Sequence, residues 1–234
     1  GFNNRRSDNI AAIYGEYNIK QQTIGLAAMR HWNAGAEKNF VMATASGNIS
    51  SDFSYYSELA KNISDYKLTD FSDQASYAFY SGLNFSKNSF GLSLEYKSYK
   101  NFLIGSGINE PPALVKEHSY KLLNRSTHVL QPLNESGYQL ELFYTFDNLS
   151  TLTTNHTLAI NDFARKFVFQ EYFLEYSFSA FDNADLKIFI DYAQDPFKLE
   201  ENRLTTGINS DHTVFKHSSL KFKDRKSTRL NSSH

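Results

Sequence analysis

Apolar and polar residues alternate with a period of two from one end of this chain to the other, which confines it to β-structure with two unlike faces. In GYQLELFYTF, Tyr138, Leu140, Leu142, Tyr144 and Phe146 share one side, and Gln139, Glu141, Phe143 and Thr145 the other. In FGLSLEYKSY, Phe90, Leu92, Leu94 and Tyr96 oppose Gly91, Ser93, Glu95, Lys97 and Tyr99. In DLKIFIDY, Leu186, Ile188, Ile190 and Tyr192 oppose Asp185, Lys187, Phe189 and Asp191. No comparable stretch repeats at helical spacing.

Short polar segments separate the runs. Lys20-Gln21-Gln22, Ser86-Lys87-Asn88-Ser89, Asp147-Asn148 and Asp182-Asn183 supply turn chemistry through Asx and Ser side chains, so they read as hairpins. Strands are expected near 9–20, 22–32, 74–86, 89–101, 137–146, 149–160, 166–180 and 184–193. Weaker runs lie near 39–46, 50–61, 201–209 and 213–223, and the whole reads as about ten antiparallel strands.

Length decides what kind of sheet this is. Soluble strands average about five or six residues, whereas a tilted membrane-spanning strand needs about nine to eleven. The better runs here reach ten. Their apolar phase carries no charge and often ends in Tyr or Phe, as lipid-facing bands flanked by aromatic girdles do. Twenty Phe and fifteen Tyr in a chain of mean hydropathy −0.49 fit strands with one apolar and one wet face. A soluble sandwich or propeller is the alternative, but eleven Gly and four Pro supply few of the breaks it needs.

Other classes are narrowed by what is absent. A net charge of −1 leaves no nucleic-acid footprint, and the lack of cysteine removes disulfides and thiolate metal sites. No run of 18 apolar residues exists for a membrane helix.

The alternation stops from Leu103 to Gly137, where three of the four prolines sit (Pro111, Pro112, Pro132). Long external loops are normal in membrane barrels, and some fold inward to narrow the lumen. The segment INEPPALVKEHSYKLLNRSTHVLQPLNESGYQLEL, followed by hairpin after hairpin, resembles an uncharacterised outer-membrane β-barrel family of Bacteroidota, of the kind catalogued only as domains of unknown function. The likeness covers most of residues 1–223. It implies an outer-membrane location in a Gram-negative bacterium, with membrane lipid and the barrel-assembly machinery as partners, and it brings no catalytic residues.

Both ends are read as truncated. The chain starts at Gly1 without a signal segment, and Asp224 to His234 (DRKSTRLNSSH) resembles a translated sequencing-library adapter, expected to be disordered. The expectation is therefore an all-β, antiparallel up-and-down transmembrane β-barrel over residues 1–223. It would be present as an open fragment of about ten strands, with the long loop at 103–137.

Candidate site residues follow from the polar phase. Glu16, Glu58, Glu95, Glu141, Glu175 and Asp191 each sit beside an outer-phase aromatic or Leu, as in Leu94-Glu95-Tyr96 and Ile190-Asp191-Tyr192. One reading is an acidic ring favouring cations or basic solutes. The other is that Lys20, Lys97 and Lys187 pair with these carboxylates across neighbouring strands. In the long loop, His118, Arg125 and His128 are binding candidates.

His118 and His128, and likewise His212 and His217, lack zinc-site spacing, so no metal and no cofactor is expected. The N-x-S/T matches, Asn84 and Asn155 among them, are composition in an Asn- and Ser-rich chain. Three functions stay open. They are a porin-like or export channel of unknown substrate, a surface scaffold or adhesin using loop 103–137, and a membrane-embedded hydrolase with a Ser–His pair such as one at His156.

Overall fold

In the computed structural model, residues 8–33, 35–64, 67–72, 74–105, 120, 123, 134–163, 165–181, 184–196, 200–215 and 218–229 are described, with backbone alone for 163, 165, 181, 200, 201 and 212–229. They form twelve strands: β1 (Asn9–Ile19), β2 (Gln22–Asn33), β3 (Ala36–Ser50), β4 (Phe53–Asn62), β5 (Tyr77–Lys87), β6 (Phe90–Lys100), β7 (Glu135–Thr145), β8 (Thr151–Phe163), β9 (Arg165–Phe181), β10 (Ala184–Asp195), β11 (Glu200–Phe215) and β12 (Ser218–Arg229). No described helix is long and apolar enough to cross a membrane, which says nothing of strands.

Each strand pairs antiparallel with the next, in the order β1 to β12, and no ladder among the described residues joins β1 to β12. This is one open up-and-down sheet. Tight turns make it so: Lys20 and Asn88 take left-handed φ values of 55° and 52° in the β1–β2 and β5–β6 connections, the backbone sense that primed hairpin turns require.

The count exceeds the ten expected, because all four weaker runs are strands (β3, β4, β11 and β12). β3 was weak in sequence because its outer phase is small: Val41, Ala43, Ala45 and Gly47. β7 also begins at Glu135, inside the stretch read as loop, where Ser136 stands in the outer phase in place of an apolar residue. A third correction concerns 224–234. Far from disordered throughout, 224–229 continue β12, with Ile208 opposite Asp224 and Arg203 opposite Arg229. The edge of β11 offers unpaired N–H and C=O groups that an extended segment satisfies whatever its side chains.

Burial is inverted relative to a soluble protein. In β10, Asp191, Ala193 and Asp195 are at most 1% exposed, whereas Ile188 and Ile190 on the opposite phase are 44% and 43% exposed. The same holds along β8, β9 and β11, where Asn155, Thr157, Glu171, Arg203 and Thr205 are buried and Tyr172, Leu174 and Ile208 are exposed. One face of a single sheet reaches such burial only if the sheet curls over it or another part of the chain covers it. We call it the inner face. Burial fades towards β1, which is exposed on both faces.

On the outer face, aromatic rings form two belts. Near the β5–β6 turn end run Phe53–Phe85–Phe90 and Tyr144–Phe146–Tyr176–Phe178, with successive centroids 4.9–6.5 Å apart. Towards the other end lie Phe79–Tyr96 and Tyr138–His156–Tyr172–Tyr192, at 4.2–6.4 Å. Phe79 and Phe85, Phe90 and Tyr96, and Tyr138 and Tyr144 are each six residues apart on one strand. That is about 20 Å of extended chain. Leu83, Leu94, Leu140 and Leu142 lie between.

The two ends of the sheet differ in their connections. At one end every link is short (20–21, 51–52, 88–89, 146–150, 182–183, 216–217). At the other, 63–76 and 101–134 are long. The first long link folds back on the outer face: Lys61, 1% exposed, donates to the Asp70 carbonyl and lies 3.9 Å above the Phe71 ring. The Ser72 N–H, 2.9 Å from Asp70 Oδ1, holds that exposed carboxyl below its ordinary range.

Gly137 fixes the join between β7 and β8. A Cβ there would collide with the Leu158 carbonyl and the Ala159 backbone. Gly137→Val is expected to destabilise the sheet by about 1–3 kcal/mol through this overpacking. The folded fraction, read by heat-modifiable mobility after refolding in detergent, should fall. A wild-type fraction would contradict the close approach.

Candidate functional site

The register carries all eight candidate inner residues to one face. Glu16 opposes Gly25, which opposes Thr44, then Glu58, Tyr80 and Lys97, so these share one row across β1–β6. Glu95 lies one row nearer the short turns, opposite Gln139 and in line with Thr157 and Glu171. Glu141, Asn155, Phe173 and Asp191 form the next row. Glu175 and Phe189 follow, then Lys187. The candidates thus occupy one face at several depths.

The carboxylates find partners that the sequence did not foretell. Tyrosine hydroxyls donate to three of them: Tyr14 to Glu16 (3.1 Å), Tyr56 to Glu58 (2.5 Å) and Tyr80 to Glu95 (3.0 Å). Of the lysines expected to neutralise them, Lys187 lies 4.0 Å from Glu175. Lys97 instead pairs with Glu135 at 2.5 Å, both buried. Lys20 sits exposed in the β1–β2 turn. Asp191 is met by Arg203 at 3.2 Å, a residue the sequence reading passed over.

On β1–β11 the described inner phase holds eleven Asp and Glu side chains and four cations: Lys38, Lys97, Lys187 and Arg203. Four of these carboxylates, Glu135, Glu171, Asp191 and Asp195, are at most 2% exposed, so the negative charge that this face turns to solvent is carried by the others.

The long connection between β6 and β7 reaches this face. Tyr120 and Leu123, both buried, pack with Phe173 and Phe189. The Tyr120 ring stacks on Phe189 at 4.0 Å, and its hydroxyl donates to Glu175 at 2.5 Å. Elsewhere on the face, Tyr99 packs with Ala60 and Ala78, and the Phe143 ring lies over Gly91. His118, Arg125 and His128 lie outside the described residues.

Two histidines are held in distinct ways. His156 is on the outer face, stacked on Tyr172 at 4.2 Å with Tyr138 Oη 3.2 Å from Nδ1, and no described serine bonds to it. His31, on the inner face, places Nε2 3.0 Å from Asp8 Oδ1. Asn33 also donates to Asp8, at 3.2 Å. The described residues contain no group of three metal-ligating side chains.

Removing Lys97 would leave Glu135 buried without its cation. Lys97→Met is expected to destabilise the protein by about 3–5 kcal/mol, and the double change with Glu135→Leu to recover most of it. Urea unfolding of the lipid-reconstituted protein measures both. An unchanged midpoint for Lys97→Met would refute the pairing's weight.

Comparison with known proteins adds one relation. Nothing among curated proteins or solved structures matches the chain. The Family of unknown function (DUF6029) matches residues 12–195, from within β1 to the end of β10. The chain belongs to that family.

Proposed function

We propose that this chain forms the wall of an outer-membrane β-barrel in a Gram-negative bacterium, and that its lumen passes cations or basic solutes. The inverted burial carries the barrel wall, and the unburied inner carboxylates Glu16, Glu58 and Glu95 carry the cation passage. Charged and amide side chains on the inner face are withdrawn from bulk water while Ile188, Ile190, Leu174 and Ile208 stand outward. In water that arrangement would leave apolar surface exposed; in a bilayer the outward band meets hydrocarbon.

Further features support it. Every strand has at least ten residues, enough to span with tilt. The paired aromatic belts match interfacial girdles, and an end with short turns alone, opposite an end that carries both long links (63–76 and 101–134), fits the periplasmic and extracellular sides of such barrels. The acidic excess on the inner face favours cations, as charged rings do in pores.

Tyr120, stacked on Phe189, narrows this passage from within. The same packing favours a second reading: a barrel closed by its own loop, serving as a surface scaffold.

Two experiments test the reading. Ile188→Arg puts a charge on the outward band and is expected to cost about 2–4 kcal/mol near the bilayer midplane. Its yield in the outer-membrane fraction should collapse, and normal assembly would reverse the face assignment. In planar bilayers, the protein should conduct with a reversal potential of cation sign, and Tyr120→Ala should raise the single-channel conductance. Silence from both proteins would favour the scaffold.

A further inference from the structure

We infer that residues 102–105 form a releasable strap across the inner face of β2–β6. Pinned down, it covers that part of the wall at the end that carries the long links; lifted, it opens the stretch beneath to solutes. This deepens the passage reading and rests on it for what the opening admits.

The strap leaves β6 at a fixed corner. Asn101 takes a left-handed φ of 47°, which its short polar side chain tolerates. Its N–H donates to Asn134 Oδ1 at 2.8 Å, its carbonyl accepts from the Ser76 hydroxyl at 2.9 Å, and its Nδ2 donates to the Ala75 carbonyl at 3.2 Å. Beyond the corner come three pins. Phe102 meets Phe40 edge-on, with centroids 5.3 Å apart, and packs over the row Met42–Ala60–Ala78–Tyr99, where two alanines leave room for a ring. Two residues of chain extend about 7 Å, while β3 lies about 14 Å from β6 along the sheet, so the segment heads straight across the inner face. The Leu103 carbonyl then accepts from Lys38 at 2.8 Å. Gly105 closes on the His31–Asp8 pair, where a Cβ would stand 2.7 Å from His31 Nε2 and 3.3 Å from Asp8 Oδ2.

Two observations make the strap releasable. Residues 102–105 belong to no strand, so lifting them breaks no ladder of the sheet. The third pin also carries a cost: His31 is 1% exposed, and its Nδ1 has no hydrogen-bond partner among the described residues. A ring nitrogen buried in that way regains water when the strap lifts, which offsets part of the contact that is lost. Deeper on the covered strands lie Glu58, two residues from Ala60, and Glu95, four from Tyr99. Lifting the strap therefore joins these carboxylates to the end that carries the long links.

The chain has no cysteine, so a thiol can be placed under the strap and read alone. The full chain carrying Ala60→Cys is treated in detergent micelles with a cationic methanethiosulfonate reagent, beside Asn18→Cys on exposed β1. The thiol of Ala60→Cys should react at least about tenfold more slowly than that of Asn18→Cys, and Lys38→Met or Gly105→Val should each speed it about tenfold without changing the Asn18→Cys rate. Heat-modifiable mobility confirms that each variant is folded, and Lys38→Met, which removes a single hydrogen bond, is the milder of the two. Equal rates at the two positions would overturn the strap. So would an unchanged Ala60→Cys rate in folded Lys38→Met, or a rise with Phe102→Ala alone, since cover by one ring needs no pins. In planar bilayers Lys38→Met should also raise the single-channel conductance. A silent bilayer with the expected thiol rates overturns passage alone, and conduction with an unprotected Ala60→Cys overturns the strap alone.

Discussion

The hydrogen-bond ladder is the constraint on which everything else in this molecule depends. A backbone amide or carbonyl without a partner costs several kcal/mol in hydrocarbon, where no water can replace it. Eleven consecutive antiparallel pairings, each between neighbours in sequence, satisfy the ladder groups from β2 to β11 and leave one edge each of β1 and β12 open. Side chains are then free to differ on the two faces, because none is needed to satisfy the backbone. The inverted distribution of polar and apolar residues is possible for that reason.

Within that framework the inner face is organised by size as well as by charge. Across one row, Lys97 is followed by Gly137, Ala159 and then Phe169, so two small residues make room between two large ones. The Phe143 ring covers Gly91 in the same manner, a ring from one strand screening the bare backbone of the next. Buried ions are accommodated by this relief: Lys97 reaches Glu135 past a residue with no side chain.

Much of this was legible in the residues themselves. The phase of Leu140, Leu94 and Ile188 follows from strict alternation, and it places all eight candidate inner residues on one side without any knowledge of register. What alternation cannot supply is depth. Whether Glu95 meets Tyr80 or another side chain of β5 depends on how far the two strands are slid along each other, and turn lengths fix that only once the strands are paired. The Lys97–Glu135 pair was hidden for a related reason: Glu135 lay in a stretch where Ser136 breaks the apolar phase, so it read as loop. The seating of Tyr120 on Phe189 was equally out of reach, since nothing in a non-periodic connection marks which of its residues turns inward.

The sequential strand order also shapes how such a sheet comes together. Contacts between near neighbours need only small loops to close, and low contact order favours rapid ordering. Ten of the eleven junctions have this character or close across the modest 63–76 link, whereas joining β6 to β7 requires residues 101–134 to be gathered. Loop-closure entropy grows slowly, by about 0.6 kcal/mol per doubling of length, yet that junction is also where the Lys97–Glu135 contact must find its partner. The longest closure in the sheet thus falls midway along it, six strands to each side, with an ion pair as the clasp at that seam.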